Sequence, residues 1–127
     1  NSTVLFRAYN GIANLQLSKG SLEKCKENLE LSLSIEGLSN AEKSRSYCDL
    51  GIYYHECKQY DKAIEYYEQI SNLCPNYHAD VYYYLGLINF QEDNSKEAEK
   101  YFTQFVEFKD KDEDKFSKNH FLVFIFS

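Results

Sequence analysis

The stretch LGIYYHECKQYDKAIEYYEQISNLCP, residues 50–75, decides the fold prediction for this chain. Around its start, apolar and small side chains recur with the spacing i, i+3, i+4 and i+7: Tyr47, Leu50, Gly51 and Tyr54. After the polar segment ECKQ a second stripe follows: Ala63, Tyr67 and Ile70. This spacing is typical of one helix face, and a helix is expected to end before Pro75. The stretch predicts two consecutive amphipathic helices.

The same frame occurs twice more in the chain. Shifted by 35 residues, it returns as a set of similar side chains: Tyr82, Leu85, Gly86, Ala98, Phe102 and Phe105. Shifted upstream by 38 residues, it gives a weaker copy: Tyr9, Ile12, Ala13, Cys25 and Leu29. Three copies of a helix pair predict an all-α repeat array. We expect helices near residues 4–18, 21–35, 41–57, 60–73, 79–91 and 94–108.

Small residues recur at two positions of the frame. One is the middle of each first helix, and the other is the early part of each second helix: Ala13, Gly51, Gly86, Cys25, Ala63 and Ala98. Two helices approach closely only where their side chains are small. Cys25 is therefore expected to be structural rather than a reactive thiol. Large rings of the frame are expected to fill the space between helices: Tyr47, Tyr54, Tyr67 and Tyr82.

Composition limits the functions open to the chain. Its 127 residues carry a net charge of −6, which disfavours nucleic acid as a partner. The four cysteines form no C-x-x-C pair, and with the three histidines they match no zinc spacing, so no metal or cofactor is predicted. The four cysteines are expected to be small buried hydrophobic residues. Cysteines without an evident disulfide pattern favour a cytoplasmic location, and a periplasmic or secreted location stays open. The absence of methionine indicates a fragment or processed form.

The motifs YCDLGIYY…YDKAIEYYEQISNLCP and YYYLGLINFQEDNSKEAEKYF resemble the tetratricopeptide repeat family. The first copy, YNGIANLQLSKGSLEKCKENL, is degenerate, and the third copy has Asn89 for the usual Tyr and Asp110 near the usual Pro. The resemblance implies a right-handed superhelical α-solenoid of about three repeats in a single domain over residues 1–127. The repeats are expected near 6–40, 44–77 and 79–111, and residues 112–127 are expected to form a C-terminal cap or linker.

In this family the first helix of each repeat lines a concave, partner-binding face. The resemblance therefore implies a non-enzymatic module that holds a peptide or helix of a partner protein, as a scaffold or adaptor. The matching positions here are Asn10, Asn14, Arg45, Cys48, Asp49, Ile52, His55, Glu56, Tyr83, Tyr84, Leu87, Phe90 and Gln91. The alternative is a regulatory or oligomerisation domain of a larger protein, with this groove occupied internally. A missing repeat or the C-terminal segment would then cover the apolar stripe of Tyr83, Leu87 and Phe90.

Chaperone-binding members of the family hold a peptide's terminal carboxylate in a clamp of basic and amide side chains. The matching positions here are Asn10, Asn14, Asp49, Asp80 and Tyr84. Two acidic residues at those positions would repel a carboxylate. The chain is therefore not expected to be a co-chaperone of that kind, and a peptide with apolar or basic residues suits the face better. Arg45 could still pair with one acidic group.

No catalytic motif is present, so no enzymatic activity is predicted. His55 and Cys48 are two helical turns apart, too far for a direct hydrogen bond, and His55 is expected to be a polar residue of the concave face. The acidic run at 107–114 lacks calcium-loop spacing and is expected to be a solvated linker. The apolar run Phe121–Phe126 is too short to span a bilayer and has strong β preference. We expect a cap or a self-associating strand there, and the truncated start of a membrane helix is the third alternative.

Overall fold

The computed structural model describes the backbone of residues 1–75 and 79–126 and the side chains of residues 1–75 and 79–110. Its six helices are α1 (Ser2–Ser18), α2 (Leu22–Leu33), α3 (Asn40–Glu56), α4 (Tyr60–Leu73), α5 (Asp80–Gln91) and α6 (Ser95–Phe126). The described backbone contains no β-strand, which confirms the all-α prediction. The first five helices begin and end within two residues of their predicted bounds.

The helices fall into two compact units, α1 to α4 and α5 with α6. In the first unit α1 packs on α2 and α3 packs on α4, while α2 also contacts α3. The unit is therefore two successive helical hairpins stacked on each other. The second unit is a third hairpin, because α5 packs along α6.

Small residues let the two helices of each hairpin approach closely. Ala13 and Cys25 are buried between α1 and α2, and Ala63 is buried in α4. Gly51 of α3 lies directly under the ring of Tyr67, where a Cβ would meet the ring atoms at less than 3 Å. The burial of Cys25 confirms its structural role. The other three cysteines are only half-buried, so the expectation that all four are buried is wrong for Cys48, Cys57 and Cys74.

The turns inside the three hairpins share one backbone feature. Gly20, Lys58 and Asp93 each have a φ between 61° and 79°. These residues are 38 and 35 positions apart, the same steps as the repeat frame. A residue in this left-handed region ends a helix and lets the chain reverse, and glycine adopts it at the lowest cost. The turn geometry therefore repeats even where the glycine does not.

Several polar side chains between the helices have hydrogen-bond partners, and some of them stand where the family typically has other residues. Gln16, which stands where the family has Tyr, accepts a hydrogen bond from Asn28 of α2 across 2.9 Å. Ser32 and Ser46 are both buried, and their hydroxyl oxygens lie 2.7 Å apart between α2 and α3. Buried Asn89 donates to the Leu85 carbonyl at 2.8 Å. At Gln16 and Asn89 a specific polar contact thus stands where the family typically has a tyrosine ring.

Tyrosine rings fill much of the space between α3 and α4. Tyr54 and Tyr67 are buried, as predicted, while Tyr47 is half-buried. Tyr66 was not singled out by the repeat frame, yet its ring stacks on Tyr54 at 5.6 Å and contacts Tyr47 at 5.8 Å. The aromatic content of the opening stretch is therefore used mainly for packing between helices.

The last helix differs most from its prediction. We expected it to end near residue 108, but α6 continues to Phe126. The physical reason is the missing proline: Pro75 follows the end of α4, whereas Asp110 occupies the matching region of α6 and permits a helix. The prediction of a strand at Phe121–Phe126 is therefore wrong. The self-association expected there concerns side chains outside the described ones.

Candidate protein-binding site

A hydrogen-bonded chain of side chains joins the first two repeats. Asn14 donates to the Asn10 side-chain oxygen at 3.2 Å, and Asn10 donates to Oδ2 of Asp49 at 2.9 Å. Asn10 is only 1% exposed, so it lies inside the unit and not on the surface of the predicted groove. Burial raises the pKa of the Asp49 carboxyl, and the hydrogen bond from Asn10 and the charge of Arg45 partly offset that rise. These three residues therefore hold α1 against α3.

The other two residues at the positions of the carboxylate clamp lie in the second unit. Asp80 at the start of α5 is 3.9 Å from the ammonium group of Lys109 on α6. Tyr84 is half-buried, with its ring 6.0 Å from that of Tyr83. Neither residue offers a positive charge to a carboxylate.

Arg45 lies on the exposed side of α3 and lines a cavity of about 410 Å³ between the first turns of α1 and α3. The same cavity is lined by Arg7, which lies outside the residues predicted for the partner-binding face. A signal for Arg7 was present, because it stands 38 residues before Arg45 and so has the same place in the repeat frame. The structure thus adds Arg7 to the candidate site.

The C-terminal half of α3 carries the remaining candidates of the first unit. Ile52 and His55 are half-buried and Glu56 is exposed. The His55 ring contacts the edge of Tyr60 at the start of α4, with the ring centroids 5.6 Å apart. This contact orients the imidazole and leaves part of it accessible. The described residues contain no cluster of His, Cys, Asp or Glu that could hold a metal ion.

The second unit presents an aromatic surface formed by α5 and α6. Tyr83 is 41% exposed and its ring packs against Phe102 at 6.0 Å and Phe105 at 5.6 Å. Phe90 is 66% exposed and lines an apolar cavity of about 680 Å³ together with Phe102 and Val106. Leu87 is half-buried and Gln91 is exposed. Tyr83 and Phe90 therefore share one surface with α6 rather than standing apart on α5.

Antiparallel helix hairpins with a repeating small-residue contact and a repeating turn define an α-helical repeat protein of the solenoid class. A tetratricopeptide repeat model matches residues 4–76 and, in an overlapping match, residues 42–111. The chain belongs to the tetratricopeptide repeat family. Members of this family generally bind protein partners, and the chain is accordingly a protein–protein interaction scaffold.

Comparison with solved structures supports the same fold. Seven chains match, among them the structure described as "Crystal structure of MamA", with a TM-score of 0.76 and 23% sequence identity. The match covers 86% of this chain and 61% of that chain, so the present chain spans less than two thirds of MamA as crystallised. No curated protein matches at a significant level. None of the helices in the described part of the chain is long and apolar enough to cross a membrane.

Proposed function

We propose that the chain binds a peptide or a helix of a partner protein along the face formed by α1 and α3, the first helices of its first two repeats. The observation that carries this proposal is the cavity between the first turns of α1 and α3, which is lined by two exposed arginine side chains. Farther along α3, the half-buried His55 and the exposed Glu56 belong to the proposed face. The binding is non-enzymatic, as is typical of the family.

A second candidate function is favoured by the surface of α5 and α6. Phe90 and Val106 are both more than half exposed beside an apolar cavity. Exposed apolar groups next to a concave surface are typical of protein interfaces. In this alternative the chain is a regulatory or oligomerisation domain, and the exposed apolar surface docks within a larger protein.

Selection of binders from a phage library of random 16-residue peptides tests the first proposal. The selected peptides would be measured by fluorescence anisotropy against three variants whose fold is verified by circular dichroism. His55→Ala/Glu56→Ala changes α3, Phe90→Ala/Gln91→Ala changes α5, and Glu27→Ala/Glu65→Ala changes exposed positions of the second helices as the matched control.

We expect the α3 variant to weaken binding about tenfold, or about 1.4 kcal/mol, because it truncates two side chains of the proposed interface together. The control should bind normally. Loss of affinity only in the control would contradict the proposal. Concentration-dependent dimerisation in sedimentation velocity, abolished by Phe90→Ala/Gln91→Ala, would instead favour the second candidate.

A further inference from the structure

The two arginines of the chain stand at equivalent places. Arg7 and Arg45 are the only arginines among its 14 basic residues, and they are 38 positions apart, the step between the first two repeats. Each lies within the first two turns of the first helix of its repeat. The other basic residues are lysines, and none of those whose side chains the structure describes lines this cavity. The repeat step places the two arginines at equivalent positions, and the cavity lining brings their side chains together in one site.

The cavity that they share is open to solvent and has a volume of about 410 Å³. Its walls are formed by the first turns of two neighbouring helices: Thr3, Phe6, Arg7, Ala41, Glu42 and Arg45. Both arginine side chains are exposed. Within the described part of the chain, neither guanidinium has an ion-pair partner within 4.0 Å. Their donors are available to a ligand.

The electrostatics of the cavity differ from those of the whole chain, which has a net charge of −6. Among the described residues, Glu42 is the only acidic one of the wall, and its Oε1 accepts a hydrogen bond from the Ser39 backbone N–H at 3.0 Å. This bond holds the pKa of the Glu42 carboxyl below its usual range. The wall itself carries two arginines and one carboxylate, a net formal charge of +1, while the Asp49 carboxyl acts on Arg45 from outside the wall. The N-termini of α1 and α3 add positive partial charge.

We propose that the pocket between Arg7 and Arg45 receives an aspartate or glutamate side chain of the partner peptide. This assignment rests on the proposed function and names the chemistry of the partner. Arginine suits the task because its planar fork of donors matches a carboxylate. The site differs from the carboxylate clamp of the family, since Asn10, Asn14 and Asp49 at the clamp positions bond to one another.

The probe is acetylated, amidated hexaglutamate, which carries side-chain carboxylates and no terminal one. It would be titrated into ¹⁵N-labelled protein at constant ionic strength, and backbone amide shifts would be followed. Arg7→Gln/Arg45→Gln removes two charges at the site. Lys24→Gln/Lys96→Gln removes two exposed charges elsewhere and is the matched control.

We expect saturable shifts at residues 3–7 and 41–45, a Kd raised at least tenfold in the arginine variant, and a Kd within twofold of the unaltered protein in the lysine variant. Shifts elsewhere only, or equal loss in both variants, would overturn the assignment. Tighter binding of inorganic phosphate at the same residues would also overturn it, because the site would then favour phosphate over carboxylate.

Hexaglutamate tests the arginine pocket and the selected peptides test the proposed function, so either proposal can be contradicted while the other stands. The selected peptides could bind the α3 surface, contain no excess of acidic residues and bind the arginine variant normally. That result would contradict the pocket assignment and leave the proposed function unaffected. Hexaglutamate bound at the arginines, with no peptide selected at all, would support the pocket and count against the proposed function.

Discussion

The ring of Tyr67 on α4 lies directly against the backbone of Gly51 on α3. A Cβ placed on Gly51 would be 2.7 Å from Cζ and 2.8 Å from Cδ1 of that ring. Tyr67 is completely buried, so a shift of the ring would require its buried neighbours to move as well. The same relationship occurs in the second unit, where a Cβ on Gly86 would meet the Phe102 ring at 2.6 Å. The same kind of contact, an aromatic ring against a glycine, thus sets the distance between the two helices in both hairpins.

Replacing Gly51 by alanine is expected to destabilise the protein by about 1–3 kcal/mol, because the added methyl forces the buried ring and its helix apart. Urea unfolding followed by circular dichroism measures the loss. Gly11→Ala is the matched control, since nothing lies within 4 Å of a Cβ at that helical position. It should stabilise by about 0.5–1 kcal/mol through helix propensity. Equal effects of the two substitutions would contradict the contact.

Asp49→Asn is expected to stabilise the protein at pH 7. Burial raises the pKa of Asp49 in the folded state, so the folded protein binds more protons than the unfolded chain above the unfolded value of about 3.9. The contribution of Asp49 to stability therefore falls as the pH rises through this window and is constant above the folded pKa. Asparagine can still accept the bond from Asn10 without a buried charge.

Urea midpoints at pH 7 and pH 4.5 test this expectation. The advantage of Asp49→Asn over the unaltered protein should shrink at pH 4.5, where part of the folded population already carries the proton. Asp61→Asn removes the same formal charge from an exposed position of α4 and is expected to change the midpoint little. If the advantage of Asp49→Asn grew toward acid pH, the pKa of Asp49 would be lowered in the folded state, contrary to the prediction.

The buried hydroxyl pair between α2 and α3 predicts unequal effects of two deletions. Ser32 donates to the Leu29 carbonyl at 2.7 Å, so Ser46 must donate to Ser32 Oγ. Ser32→Ala removes the acceptor of a buried O–H group and should cost about 1–3 kcal/mol, whereas Ser46→Ala should cost about 0.5–1.5 kcal/mol. A double-mutant cycle in urea should give a coupling of about 1 kcal/mol. Additive effects would exclude the bond.

Substitutions at equivalent positions of the hairpin turns are expected to change stability in opposite directions. Lys58 and Asp93 have φ values of 61° and 62°, which glycine adopts without steric cost. Lys58→Gly is expected to be neutral to stabilising by up to about 1 kcal/mol, whereas Gly20→Ala should destabilise by about 1 kcal/mol. Thermal unfolding followed by circular dichroism would show both shifts. Stabilisation by Gly20→Ala would rule out a strained turn there.

The helices, their order and the repeat spacing could be predicted from the sequence, because packing of hairpins imposes a period on small and large residues. Small side chains are required at certain positions, as at Gly51, Gly86 and Ala63. Such a requirement on size can be recognised in the sequence alone. Pro75 likewise shows where α4 must end. The end of α6 was missed because no residue near Asp110 forbids a helix, and helix ends without such a residue depend on tertiary context.

Much less of the candidate site could be predicted from the sequence. The family resemblance assigned Asn10 to the groove, yet its amide is buried against Asp49. The repeat frame places Arg7 and Arg45 in register, but register does not show that their side chains line one cavity. Likewise, Tyr83 and Phe90 share a helix stripe in the sequence, while their surface is completed by Phe102 and Val106 of α6.

The sequence by itself determined the family, the number of hairpins and the residues that must be small, because these follow from periodic packing along one chain. Only the tertiary structure decided which polar side chains are consumed by bonds between helices and which remain available to a partner. Exposure and hydrogen-bond partnership depend on residues far apart in the chain, such as Asn10 and Asp49. A helical repeat therefore reveals its architecture in the sequence, whereas its free binding groups become identifiable only after the helices have packed.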